Sequence, residues 1–340
     1  MFLKPLCILD IEVELPENRL TNIELDLEYP DWGVTSTAES FGVKSRPIAQ
    51  TGETAFDLAL VACRSLFERH KGIQDDIDAL IFCTQTPDYI LPPNSCLLHK
   101  ELELQESVLA FDFNLACSGF IYGLAIAQGF FEMGMVNKVL LINADTYSKL
   151  IHPADRATRL LFGDGAAVTL LQTPEENQRG LIDISCSTFG KGYHNFIVPA
   201  GGFRLPKSSD TRKENEDTCG NIRTEEHILM RGAGVLGFVN TLVPRNVIAL
   251  LKKCEITIDN IDLVIFHQAS MAAISTLGRK LNVPTEKIYI NLERHGNLVS
   301  ASIPVAMQEA IQEGVLKRGD CILIVGFGVG LSYGSAILQF

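Results

Sequence analysis

The sequence predicts an α/β fold in which one unit is used twice, and three observations carry that expectation. Short, wholly apolar runs alternate with longer amphipathic stretches along the 340 residues. Four segments of the first half recur, in the same order, in the second. The composition, 46% hydrophobic and 21% charged, is that of a globular chain with ample material for a buried core.

The runs Ala79–Phe82, Val139–Ile142, Leu263–Phe266 and Cys321–Val325 have the length and composition of strands buried on both faces. Between them, Thr54–Lys71, Gly119–Met133, Met271–Leu281 and Ser302–Glu313 read as helices, and this alternation predicts largely parallel sheets. Glu17–Gln50 reads as an irregular surface segment, and Lys207–Glu226 as a solvated excursion. The repeat runs from Asp76–Phe82 to Asn260–Phe266, from Asn114-Leu115 to Asn291-Leu292, and from Lys138–Ile142 to Asp320–Ile324. It ends with Gly165–Leu170 against Gly334–Leu338, and the four offsets span 169 to 184 residues. Four ordered matches predict halves at residues 1–172 and 173–340.

Charge and cysteines narrow the function. A formal charge of −12 argues against a nucleic-acid partner, which wants a basic footprint. Uninterrupted apolar runs fall short of the roughly 20 residues a membrane helix needs, so no membrane span is expected. Nine cysteines, an odd number without a CxxC pair, predict reduced thiols rather than disulfides or a metal centre. Met1–Asp10 lacks the pattern of a signal peptide, so a cytoplasmic protein is expected.

One cysteine stands apart. Phe111–Phe120 reads as strand, sharp turn and helix, placing Cys117 among small residues near a helix N-terminus, where the peptide dipoles lower a thiol pKa. The second half offers His267 at a strand end and Asn297 ahead of a helix. By the repeat, all three fall on one face. Taken singly, each has a structural reading: a buried thiol, a core histidine, a turn residue.

Ala116–Phe120, Phe162–Ala167, His267–Ala269, Arg294–Asn297 and the closing Phe327–Ala336 follow the motif order of the β-ketoacyl-[acyl carrier protein] synthase III family, which the chain resembles over nearly its whole length. The resemblance implies a thiolase-like fold, five-layered α-β-α-β-α, usually a homodimer. It implies a decarboxylative Claisen condensation with no bound cofactor and no metal, using phosphopantetheine thioesters on acyl carrier protein or CoA. Cys117 would carry the acyl group, and the N–H groups of Cys117 and Ser332 would form the oxyanion hole. His267 and Asn297 would stabilise the malonyl-derived enolate. Phe162, Arg156, Ala233 and Ser270 would line the acyl and pantetheine tunnel, with Leu91 reaching a partner subunit's pocket. Arg279 and Lys280 would dock an acidic carrier protein, with Lys207, Arg212 and Lys213 as helpers.

The chain departs from the family at the tunnel mouth. The tryptophan and arginine expected before Gly42-Val43 fall at Ser36 and Ser40, with Trp32 four residues earlier. Another family arginine is Ala272, and tunnel asparagines are Ala233 and Ser270. Losing a planar cation and its stacking partner predicts that free acetyl-CoA is a poor primer. Three alternatives remain open at this level: an acyltransferase to an amine or hydroxyl, a Cys-His-Asn hydrolase, and a non-catalytic partner subunit.

Overall fold

The computed structural model describes residues 4–174 and 180–340, without the side chains of 37–40. Among the described residues, nine strands build two sheets: β1 (Cys7–Glu14), β2 (Ala79–Cys83), β3 (Leu109–Phe113), β4 (Lys138–Asp145), β5 (Gly165–Gln172), β6 (Gly180–Thr188), β7 (Leu263–Phe266), β8 (Cys321–Gly328) and β9 (Ser332–Gln339). The first sheet has the order β1-β5-β4-β2-β3, the second β6-β9-β8-β7. In the first, β1/β5 and β5/β4 are antiparallel while β4/β2 and β2/β3 are parallel. The second repeats the pattern, with β6/β9 and β9/β8 antiparallel and β8/β7 parallel. Where β3 would recur, a single parallel bridge, Val264 to Ile288, remains.

Strand alternation explains the layering. Ala79 and Ile81 face one way and Leu80 and Phe82 the other, as the two-residue period of a pleated strand requires. The first set joins Val139, Leu141, Ile322 and Ile324 around two central helices, Gly119–Glu132 and Ser302–Gln312. The second set packs under α1 (Ala55–Arg69), whose Thr54/Asp57 capping box is worth about 1 kcal/mol. On the far side of the second sheet, Val264, Phe266, Leu323 and Val325 lie under two further helices. The order is helix, sheet, helix, sheet, helix: an α/β, thiolase-like, five-layered fold.

The central helices are α2 (Gly119–Glu132) and α5 (Ser302–Gln312); the outer pair is α3 (Gly232–Cys254) and α4 (Met271–Lys280). Close approach sets the sequence of α2: a Cβ at Gly119 would lie 2.3 Å from the Cys83 sulfur.

Two segments differ from the sequence reading, and a third, the Lys207–Glu226 excursion, is mostly exposed as expected. Glu17–Gln50 contains the strand pair Arg19–Thr21/Ser45–Pro47 and helices Asn22–Glu28 and Val34–Phe41, held by the fully buried Arg46 on Asn22 Oδ1 (2.7 Å) and the Leu160 carbonyl (3.0 Å). The excursion is tied down: Arg223 spans Asp155 and Asp217, and Thr211 is buried. Helix α3, not read as a helix from the sequence, is long and apolar enough by length and composition to cross a membrane, although Asn240, Thr241, Arg245 and Asn246 interrupt its apolar run. It packs Phe238, Val239, Val243, Val247 and Leu250 into the core, and Asn246 bonds Ser185 and Ser335 of the second sheet.

Candidate active site

Cys117 lies in the turn between β3 and α2, with Ser118 as the residue before the helix. It is 3% exposed. The β8–β9 hairpin covers it so closely that a Cβ at Gly328 would sit 2.8 Å from both Cβ and Sγ of Cys117. A cross-link sets this contact: Ser118 Oγ and Ser332 Oγ are 2.7 Å apart, and Ser332 Oγ donates to the Val329 carbonyl at 2.6 Å. Gly328 is thus the residue against the sulfur, and Ser332 is linked through its hydroxyl to the neighbouring Ser118.

Asn297 arrives from the second half and is held by its backbone. Its N–H donates to the Leu161 carbonyl (2.7 Å), and the Gly163 N–H donates to its own carbonyl (3.0 Å). Its Oδ1 accepts from the Val299 N–H (2.9 Å), which leaves the amide N–H groups as donors, and this side chain acts to lower the Cys117 thiol pKa. His267 follows β7, its N–H donating to the Val325 carbonyl (2.8 Å). Its ring meets Phe327 edge to face at 5.4 Å, one residue along β8 from Gly328. Nδ1 of His267 is buried without a hydrogen-bond partner among the described residues, and burial pulls the imidazole pKa down to about 3, so the ring is neutral.

A second ring of contacts fixes these loops. Gln268 donates to the Phe266 carbonyl and accepts from the Asn291 N–H. Glu309 receives Asn291, Arg294 and His295, the last at 2.6 Å, so His295 is structural. Behind the thiol, buried Asp145 accepts from Ser300 Oγ (2.6 Å) and the Gln85 N–H (2.7 Å), yet burial lifts its pKa to about 7.

The expected lowering of the Cys117 pKa is overturned. Burial pushes the thiol up, Asp145 adds to the effect, and only hydrogen bonds to its own backbone and to Asn297 oppose it. Loss of hydration outweighs those two hydrogen bonds, so the resting group is a neutral thiol.

The outlying residues separate from this cluster. A cavity of about 350 Å³ beside the hairpin is lined by Gln85, Asn114, Tyr147, Phe196, Val329 and Gly330, among others, and by none of Leu91, Phe162, Arg156, Ala233 or Ser270. Phe162 supports it from behind, its ring 5.3 Å from Tyr147 and 5.9 Å from Phe196, and faces a different cavity of about 440 Å³. Leu91 is 78% exposed with Tyr89 and Ile90. Arg156 reaches the Trp32 carbonyl (3.4 Å), Ala233 is exposed in the first turn of α3, and the Ser270 hydroxyl caps α4 by accepting from the Ala273 N–H. Lys280 donates to the Asn240 carbonyl, whereas Arg279 is exposed with only a 3.5 Å contact to Thr276 among the described residues. At the mouth, Trp32 stacks on Tyr29 at 4.1 Å, and Ser36 bonds the Gly33 carbonyl. The Ser40 side chain lies outside the described residues. Sequence reasoning missed Gln85, Asn114 and Tyr147; their only signal was a place at strand ends, where α/β sites form.

Family models of 3-oxoacyl-[acyl-carrier-protein] synthase III match residues 111–190, and its C-terminal part matches 251–340. Curated relatives named β-ketoacyl-[acyl-carrier-protein] synthase III include one from Caldanaerobacter subterraneus, 37% identical over 96% of this chain and 95% of its own length. Another, from Clostridioides difficile, is 35% identical over 98% of both. A crystal structure of a 3-oxoacyl-(acyl-carrier-protein) synthase III superimposes with TM-score 0.96 at 41% identity, covering 99% of this chain and 100% of that one. A Burkholderia xenovorans 3-oxoacyl-(acyl-carrier protein) synthase gives 0.90 at 32%, covering 98% and 94%. With that extent of likeness in sequence and in fold, the chain belongs to the β-ketoacyl-[acyl carrier protein] synthase III family of acyl-transferring, condensing enzymes.

Proposed function

We propose that Cys117 takes an acyl group from a thioester and joins it to a malonyl unit on acyl carrier protein with loss of CO2. In the first half-reaction the sulfur of Cys117 bonds the acyl carbon. The donor thiol leaves with the proton that Cys117 gives up. The Cys117 N–H receives the developing oxyanion, while Ser332, expected as the second donor, has its N–H in the hairpin ladder opposite Gly328 and braces the turn through its hydroxyl. In the second, His267 and Asn297 donate to the malonyl thioester oxygen. The C–C electron pair freed as CO2 departs becomes an enolate, whose carbon attacks the acyl carbonyl and expels the Cys117 thiolate. A neutral imidazole and an amide suit this work, because charge developing in a dry site needs fixed donors rather than an anion.

One observation carries the reading: Asn297, its oxygen occupied by Val299, acts against the burial that raises the Cys117 thiol pKa, and the neutral His267 packs on Phe327, the residue before the Gly328 that covers the sulfur. Retention of both donors favours condensation over simple transfer. Incubation with hexanoyl- and malonyl-acyl carrier proteins tests it by mass spectrometry. A β-ketoacyl product supports the proposal. Acyl-enzyme alone would indicate a transferase, free acid a hydrolase, and no change a scaffold.

The finer assignments follow the same chemistry. Trp32 is engaged by Tyr29, and Ser36 stands where the family tryptophan is expected, so the primer arrives on a carrier protein, docked at Arg279, rather than as acetyl-CoA. The half-buried edge strand β3 and the exposed Tyr89, Ile90 and Leu91 fit a homodimer that pairs two β3 edges. Nine free cysteines suit a reducing cytoplasm. Condensation of this kind builds fatty acyl chains.

A further inference from the structure

The 350 Å³ cavity is more polar than a hydrocarbon chain requires. Its lining combines the apolar Phe196, Val198 and Ile228 with a polar wall of Tyr147, Gln85 and Asn114, which are hydrogen-bonded to one another. These three form a chain of hydrogen bonds: Tyr147 Oη donates to Gln85 Oε1 at 2.5 Å, and Gln85 Nε2 donates to Asn114 Oδ1 at 2.8 Å. The chain leaves definite capacity unused. Tyr147 Oη, its proton committed, presents lone pairs, while Gln85 Nε2 and Asn114 Nδ2 keep N–H donors. A hydroxyl is the smallest group that donates to the one and accepts from the others.

The wall adjoins the nucleophile. Tyr147 is 3% exposed and belongs to the same packed cluster as Cys117. Asn114 leads into the Cys117 turn, and Val329 follows the Gly328 that covers the sulfur. Among the described residues that line the cavity there is no lysine, arginine, aspartate or glutamate, so a charged tail would enter without a partner. The volume stands near the lower end of the roughly 300–1,000 Å³ of small-molecule sites, and at about 30 Å³ per water-sized unit it holds roughly a dozen.

Resting on the condensing reading above, we propose that this chain selects a short acyl primer bearing a neutral hydroxyl on its tail, recognised by Tyr147 and Gln85. A plain hydrocarbon tail of equal length would displace water from these polar atoms without replacing its bonds, and that mismatch is the source of selectivity.

The test uses the whole protein with acyl-carrier protein thioesters in matched pairs: butyryl against 4-hydroxybutyryl, and hexanoyl against 6-hydroxyhexanoyl, with succinyl as the charged member. Intact-protein mass spectrometry follows formation of acyl-Cys117 in competition. A preference of about tenfold or more for the hydroxylated member of at least one pair, with succinyl poorest, is the expected result. Tyr147→Phe, which keeps the ring, brings that ratio towards one by slowing the hydroxylated member. Gln85→Leu is the second variant should Tyr147→Phe fail to fold, judged by circular dichroism. Preference for the unsubstituted member, or a ratio unmoved by a folded variant, would overturn the proposal and leave the condensing reading standing. Absence of acyl-Cys117 from every thioester would overturn both.

Discussion

Replacing Asp145 with asparagine gives a perturbation whose sign and size follow from the burial of one carboxyl. The group is wholly buried, and its pKa stands near 7 against an ordinary value of 3.8, burial outweighing the bonds from Ser300, Gln85 and Thr84. The folded state therefore holds a proton that the unfolded state releases between about pH 4 and pH 7. The stability this contributes is fully present below about pH 4 and is lost as pH rises through 7, at about 1.4 kcal/mol per pH unit. Over that window the loss is roughly 4 kcal/mol. An asparagine side chain cannot titrate, so Asp145→Asn gains that amount relative to the natural protein between about pH 4 and pH 8, whatever its constant offset. His267 supplies an internal contrast: its folded pKa is depressed to about 3, so its contribution rises with pH up to its ordinary value of 6.5. The two slopes oppose each other in the natural protein, and the variant exposes that of His267. Urea titrations across about pH 4 to pH 8 measure the difference. Parallel stability curves for the two proteins would refute the assignment of a buried, high-pKa carboxyl behind Cys117.

Three further expectations concern the site itself. Removing the charge of Asp145 also lowers the thiol pKa, so iodoacetamide alkylates Cys117 faster in Asp145→Asn at neutral pH; an unchanged rate would contradict the coupling. Gly328→Ala places a methyl 2.8 Å from the Cys117 sulfur and slows acyl-enzyme formation by roughly a hundredfold, read by quenched-flow mass spectrometry. Arg279→Glu leaves folding intact and raises KM for carrier-bound substrate roughly fivefold at low salt, with the effect fading as salt is added.

The strands and the central helices were legible because burial on two faces leaves little freedom of composition: Ala79–Cys83 and Leu263–Phe266 read as strands at sight. Helix α3 was not, because Gly232, Gly234, Gly237, Asn240 and Pro244 are residues that punctuate turns, and only packing on the second sheet makes them helical. The segment around Arg46 was missed for a related reason, since its order depends on a buried guanidinium meeting Asn22 and a carbonyl 114 residues away. Cys117, His267 and Asn297 were each singled out by local motifs. The ionisation of Cys117 was misread, because the helix end is a local feature whereas burial and Asp145 are tertiary ones. The polar wall of Gln85, Asn114 and Tyr147 has no sequence pattern, its members coming from three separate strand ends. The tunnel residues placed by resemblance fared least clearly: Ser270 caps a helix, and Ala233 and Leu91 are exposed on this chain.

One sulfur carries the acyl group, on this account, while Asn297 and His267 serve the condensation that follows. Mass analysis of the Cys117 peptide from Asn297→Ala, stopped during turnover with hexanoyl- and malonyl-acyl carrier proteins, tests it most directly. Accumulation of hexanoyl-Cys117 with condensation slowed about a hundredfold or more is the predicted result. A bare Cys117, an acyl group on another residue, or undiminished β-ketoacyl product would contradict it.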